Sequence, residues 1–112
     1  MALISSEKGL TPWKHQRLTA VILLFAVAFF IYAFCVTIKA SQADIILWLQ
    51  KPLIKGFCLL SLGALFYHSF LGLKMIVEDY LHHKHLRQAV LFLILIAHVF
   101  FTLFGGLLIL SF

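Results

Sequence analysis

His68 lies inside a long apolar stretch with Ser61, Gly72 and Met75, and the stretch closes on Asp79 and Tyr80. At about 100° per helical residue, Ser61, Gly72, Met75 and Asp79 fall within about 40° of His68, forming one narrow stripe of polar and small side chains. An imidazole deep in a membrane-spanning helix is costly unless it binds something. Its nitrogen can ligate haem iron axially, with Gly72 one turn on leaving room for a flat group or a close helix. Hydrogen bonding to a neighbouring helix is the competing use of the same atom. Asp79 and Tyr80 close the helix about 16–18 Å further along its axis, where the Tyr80 phenol can donate to a carbonyl oxygen. If that oxygen belongs to a quinone, its charge grows on reduction and the donor matters more, while Asp79 can orient partners or help supply protons. A solvated helix end with an interfacial tyrosine is the alternative.

The elements that position this stripe follow from composition. With 63% hydrophobic and 12% charged residues, the 112-residue chain is too apolar for an ordinary soluble domain. Spanning a bilayer takes about 20 apolar residues in helical form, and three runs qualify, at about residues 18–38, 53–77 and 89–112. The expected fold is therefore an all-α integral membrane protein with three transmembrane helices in one membrane-anchor domain over residues 1–112. Apolar residues surround each helix, which excludes the alternation of barrel strands. Pro12 is expected to stop any upstream helix, with Trp13 at headgroup level. In the first connection, residues 39–52, positions 45–49 predict a short helix along the outer interface, and Pro52 suits a first helical turn. The second connection, residues 78–87, is the most hydrophilic stretch.

A net charge of +5 raises the possibility of nucleic acid, but the basic residues are scattered with no groove or stacking platform, so no nucleic-acid partner is expected. They read as topology signals. Lys8, Lys14 and Arg17, with Lys84 and Arg87, outnumber Lys39, Lys51 and Lys55, which puts the N-terminus inside and the C-terminus outside. The first span exceeds a signal-peptide core and lacks a small-residue cleavage site, so it is read as retained. The lack of an Arg- and Ser-rich presequence favours a bacterial or organelle-encoded product, hence a bacterial inner (cytoplasmic) membrane or a mitochondrial inner membrane. Alternation of the spans gathers Arg17, Asp79, Tyr80 and the histidine-rich segment at one surface.

Other candidates have plainer readings. His98 lies about 15 Å into the third span, at a depth close to that of His68, so one chain supplying both ligands of a haem is a rival arrangement; a hydrogen-bonded core histidine is preferred. His82, His83 and His85 lack a nearby carboxylate or thiolate cluster and read as a solvated face. Cys35 and Cys58 read as buried apolar thiols, Lys74 as a snorkelling side chain and Trp48 as an interfacial anchor.

The pattern His68-x-x-x-Gly72 with Asp79-Tyr80 closing the helix resembles the small, D-type hydrophobic membrane-anchor subunit of succinate dehydrogenase, complex II. Trp13-Lys14-His15-Gln16-Arg17-Leu18-Thr19-Ala20 is similar to that family's W-x-x-Q-R-x-T-A at the start of the first membrane helix, and the likeness covers essentially the whole chain. The resemblance implies that His68 is an axial ligand of a haem b shared with the larger cytochrome b anchor subunit. It also implies that Tyr80 hydrogen-bonds ubiquinone as substrate, that Asp79 is the adjacent acid, and that Arg17 lies near the haem propionates. The implied partners are membrane lipid, the larger anchor, the iron–sulfur subunit and the flavoprotein subunit. The chain would serve electron transfer from succinate to ubiquinone in the tricarboxylic acid cycle and respiratory chain as a subunit, not as an enzyme by itself. A self-contained bis-histidine cytochrome b using His68 and His98, or a cofactor-free membrane adaptor, are the alternatives.

Overall fold

A computed structural model describes the backbone of residues 2–112 and side chains from Leu10 onward; the side chains of Glu7 and Lys8 lie outside the described residues. The chain forms α1 (Ala2–Thr37), α2 (Gln42–Leu49), α3 (Pro52–Tyr80) and α4 (Lys84–Ser111), with no strand among the described residues. Three segments, Leu10–Thr37, Pro52–Tyr80 and Lys84–Ser111, are long and apolar enough to cross a membrane. A helix satisfies its own backbone polar groups, which hydrocarbon cannot do. The protein is thus an all-α integral membrane protein with three spans, as expected.

The helices extend beyond the expected bounds at the start of α1, the end of α3 and the start of α4, while their other ends fall within one residue of expectation. At about 1.5 Å per residue, 28 residues reach about 42 Å, beyond a hydrocarbon core of about 30 Å, so the spans carry polar turns outside it. The third span begins at Lys84 because His83 is its N-cap: the His83 Nδ1 accepts the Leu86 N–H at 3.2 Å, which satisfies one of the helix's open donors. His85 and Arg87 consequently sit in the first turn of α4 instead of a loop. Pro12 also fails to stop α1, which runs through it from Ala2. Proline removes one backbone donor, and at the aqueous end of a helix the freed carbonyl upstream has water to accept from. Pro52 opens α3 at a position where a missing N–H has no cost.

The short helix in the first connection is present and begins earlier than expected, at Gln42. Ser41 explains the start: its hydroxyl oxygen accepts the Asp44 N–H at 3.2 Å and donates to Asp44 Oδ2 at 2.6 Å. Trp48 is not a free interfacial anchor. Its ring stacks on Phe29 at 6.1 Å, and Phe29 stacks in turn on Phe57 at 5.3 Å, tying α2 to α1 and α3.

α3 is the middle element, packed against α1 on one side and α4 on the other. Among the described residues, the buried positions of α1 are the small Thr19, Ala26 and Ala33, spaced by seven, and those of α3 are Ile54, Ser61, Ala64, Leu71 and Val77. Large side chains such as Leu24 (69% exposed) and Phe25 (71% exposed) point outward, the arrangement expected where lipid is as apolar as any core and packing rewards close backbones. Cys35 shares this outward orientation, a correction to the expected buried thiol; Cys58 is half-buried, and both are free.

On the α3–α4 side, Gly105 lets Leu62 approach so closely that an added Cβ would lie 3.1 Å from Leu62 Cδ2, whereas one at Gly106 would meet Leu59 at an ordinary 3.8 Å. Gly105→Val is therefore expected to lower unfolding stability by about 1–3 kcal/mol through overpacking. Gly106→Ala should change it by no more than about 0.5 kcal/mol. Thermal unfolding of the two variants in the same detergent distinguishes them.

Candidate functional site

Where α1 crosses α3, His15, Gln16 and Thr19, spanning about one turn of α1, meet Tyr67, Gly72 and His68 of α3. Thr19 is 6% exposed and its hydroxyl donates to the His15 carbonyl at 2.8 Å, with the Gln16 carbonyl at 3.1 Å as a second acceptor. The same oxygen lies 3.0 Å from Nδ1 of His68. One turn nearer the polar end, His15 Nδ1 and the Tyr67 hydroxyl are 2.5 Å apart. Gln16 packs on Gly72: its Nε2 lies 3.6 Å from where a Cβ would stand, an ordinary van der Waals contact, so a side chain of α1 approaches the helix here.

Beside this crossing is a cavity of about 590 Å³, lined by Trp13, Gln16, Arg17, His68, Glu78 and Asp79 among others. That is within the range of about 300–1,000 Å³ typical of small-molecule and cofactor sites. Arg17 holds its guanidinium over the Trp13 ring, 5.4 Å from the centroid, a cation–π contact that fixes a permanent charge at the cavity wall. Gln16 Oε1 is buried with no hydrogen-bond partner among the described residues, an unmatched acceptor at the cavity wall. His68 is half-buried; Nδ1 is engaged by Thr19, and Nε2 has no partner among the described residues. An imidazole nitrogen without a partner among the described residues, beside an arginine on the cavity wall, is a donor set that fits a haem group.

The structure brings His68, Arg17 and Asp79 to this one cavity, together with Met75 of the stripe. Ser61 is buried further along the α1–α3 seam, its hydroxyl donating to the Phe57 carbonyl at 2.7 Å. Tyr80 is not a lining residue: it is 79% exposed at the end of α3, rotated about 120° from His68 by its place in the helix. Thr19, Gln16 and Glu78 are site residues that the stripe of α3 could not disclose. Thr19 and Gln16 did stand in the quoted motif of α1, and their recurrence one turn apart was the available signal.

His98 has a different environment. Its Nδ1 is 2.7 Å from the Ile94 carbonyl, so that nitrogen carries the proton, and Nε2 at 3.1 Å accepts from the Ser69 hydroxyl. Phe66 and Phe70 stand edge-on to the ring at 5.9 and 5.8 Å. Ser69 follows His68 by one residue, about 100° around α3, so His98 and His68 lie against different faces of the same helix and do not converge on one group. Among the described residues, no three histidine, cysteine, aspartate or glutamate side chains form a group able to hold a metal ion.

Fold and site define a three-span membrane protein with a histidine-bearing cavity at a helix crossing. The chain belongs to the family of succinate dehydrogenase/fumarate reductase transmembrane subunits, whose model matches residues 1–105. It is similar to the succinate dehydrogenase hydrophobic membrane anchor subunit of Rickettsia typhi, with 33% identity over 91 residues, 80% of this chain and 72% of the relative. The corresponding subunit of Rickettsia prowazekii is 33% identical over 90 residues, covering 80% and 71%, and that of Rickettsia felis 31% over 91 residues, covering 80% and 75%.

The hydrogen-bonding of His98 generates a test. His98→Ala leaves Ser69 without its partner and is expected to cost about 1–3 kcal/mol of stability. The haem absorption spectrum of the native assembly should be unchanged by it. Loss of the low-spin spectrum in this variant would instead make His98 an iron ligand.

Proposed function

We propose that this chain is the small hydrophobic anchor of succinate:quinone oxidoreductase, complex II, in a bacterial inner membrane. It forms a single membrane domain with its N-terminus inside, and it holds the flavoprotein and iron–sulfur subunits to the bilayer together with a larger cytochrome b anchor. The observation that carries this reading is the cavity at the α1–α3 crossing, where His68, Arg17 and Asp79 meet in a chain of this family. His68 would hold haem b through an imidazole nitrogen, together with a residue of the larger anchor. Bound there, haem b contributes a one-electron redox centre. Arg17 would offset propionate charge with its guanidinium.

Ubiquinone is the substrate on the same side. An electron pair taken from succinate by the soluble subunits reduces it, and two protons complete the quinol. The Tyr80 hydroxyl donates a hydrogen bond to a quinone carbonyl oxygen, a contact that strengthens as charge develops on that oxygen. Its exposure at the end of α3 supports this role, because the side chain stands outside this chain's own cavity and is accessible to a ligand. Asp79, one residue earlier, relays protons between water and the quinone oxygen, a role supported by its position at the cavity wall.

Two variants of the purified assembly test the reading. Tyr80→Phe is expected to lower succinate-driven quinone reduction by about 10- to 100-fold, the kinetic equivalent of a hydrogen bond to a charged acceptor, while succinate oxidation by a soluble dye stays unchanged. Unchanged quinone turnover with unchanged binding of a quinone-site inhibitor would remove Tyr80 from the site. His68→Ala should abolish the bis-imidazole low-spin haem signal, and its persistence would remove His68.

A further inference from the structure

Thr19 has no role in the reading above, yet it is the buried residue in direct contact with His68. Its hydroxyl has one proton. That proton is directed into α1, toward the His15 carbonyl at 2.8 Å and the Gln16 carbonyl at 3.1 Å, the back-bonding geometry of a helical threonine. With the proton on that side, the oxygen presents lone-pair density to His68 at 3.0 Å, and an imidazole protonated at Nδ1 is the complementary donor. A neutral imidazole that donates from Nδ1 is unprotonated at Nε2.

We infer that Thr19 is a positioning residue that fixes His68 in its Nδ1–H tautomer and holds the ring so that Nε2 is the nitrogen available to a metal. The inference rests on His68 as haem ligand and adds what prepares it. The arrangement corresponds to the outer-shell partner that a ligating histidine needs, with a helix hydroxyl in the place often taken by a carboxylate or backbone carbonyl. Accepting the Nδ1–H bond also raises the basicity of Nε2, which favours the oxidised iron. Burial of Thr19 keeps water from replacing it.

The test uses the assembled complex with Thr19→Val, Thr19→Ser and His68→Ala. Thr19→Val keeps shape and removes the hydroxyl. It is expected to raise the haem midpoint potential and to weaken haem retention, measured by transfer to a haem-accepting apoprotein, by about 10- to 100-fold. Thr19→Ser keeps the hydroxyl and should restore both values. Thr19→Ala, which introduces no new bulk, gives the same contrast with serine if the valine variant does not assemble. A valine or alanine variant with wild-type potential and wild-type haem retention would overturn the inference. So would a serine variant that behaves like valine, because the methyl group's packing would then be the cause. A His68→Ala complex that retains its low-spin signal identifies a different failure, that of the ligand assignment itself.

Discussion

Polar side chains between membrane helices must find partners, and in this protein the pairs across the α1–α3 crossing decide how the two helices face each other. Thr19 with His68, and His15 with Tyr67, fix the rotation of α1 about its axis at the polar half of the bundle. The seven-residue series Thr19, Ala26, Ala33 then carries the same seam toward the other end, where close backbone approach replaces hydrogen bonding. A different rotation of α1 would leave the His68 ring unpaired in a low-dielectric setting and would disperse the cavity walls. Seam and site are thus one construction.

The other side of α3 repeats the logic with different chemistry. Ser69 meets His98, and Gly105 admits Leu62, so α4 is held by one polar pair and one close contact. Because His68 and Ser69 are adjacent, α3 presents two polar atoms to two different neighbours at a single depth. His98 therefore acts as a fastener for α4, and His68 is left to the cavity. The outward faces of all three spans remain large and apolar, consistent with a chain whose surroundings are lipid and other membrane subunits.

Much of this was legible in the residues. Three apolar runs gave the spans, and the stripe through His68 gave the face of α3 from which His68, Met75 and Asp79 line the cavity. Less legible were the ends. Hydrophobicity stops where water begins, but a helix stops where its last donors and acceptors are satisfied, and a cap such as His83 lies several residues beyond the apolar run. Pro12 misled for a related reason, since the cost of a missing donor depends on whether water reaches the carbonyl it frees. Gly72 was ambiguous between a ligand gap and a helix contact because a missing Cβ does not say what occupies the space.

The sequence by itself determined that the chain is helical and spans a membrane, since in hydrocarbon the backbone must bond to itself and apolar length sets the number of crossings. It also determined that His68, Gly72 and Asp79 share a face, because helical periodicity is local. Only the tertiary structure decided which nitrogen of His68 is engaged, that Thr19 engages it, that Gln16 fills the place beside Gly72, and that Tyr80 stands outside the cavity. Those facts depend on the rotation and register of α1 against α3, which neither helix encodes alone and which the pairing of their buried polar atoms selects.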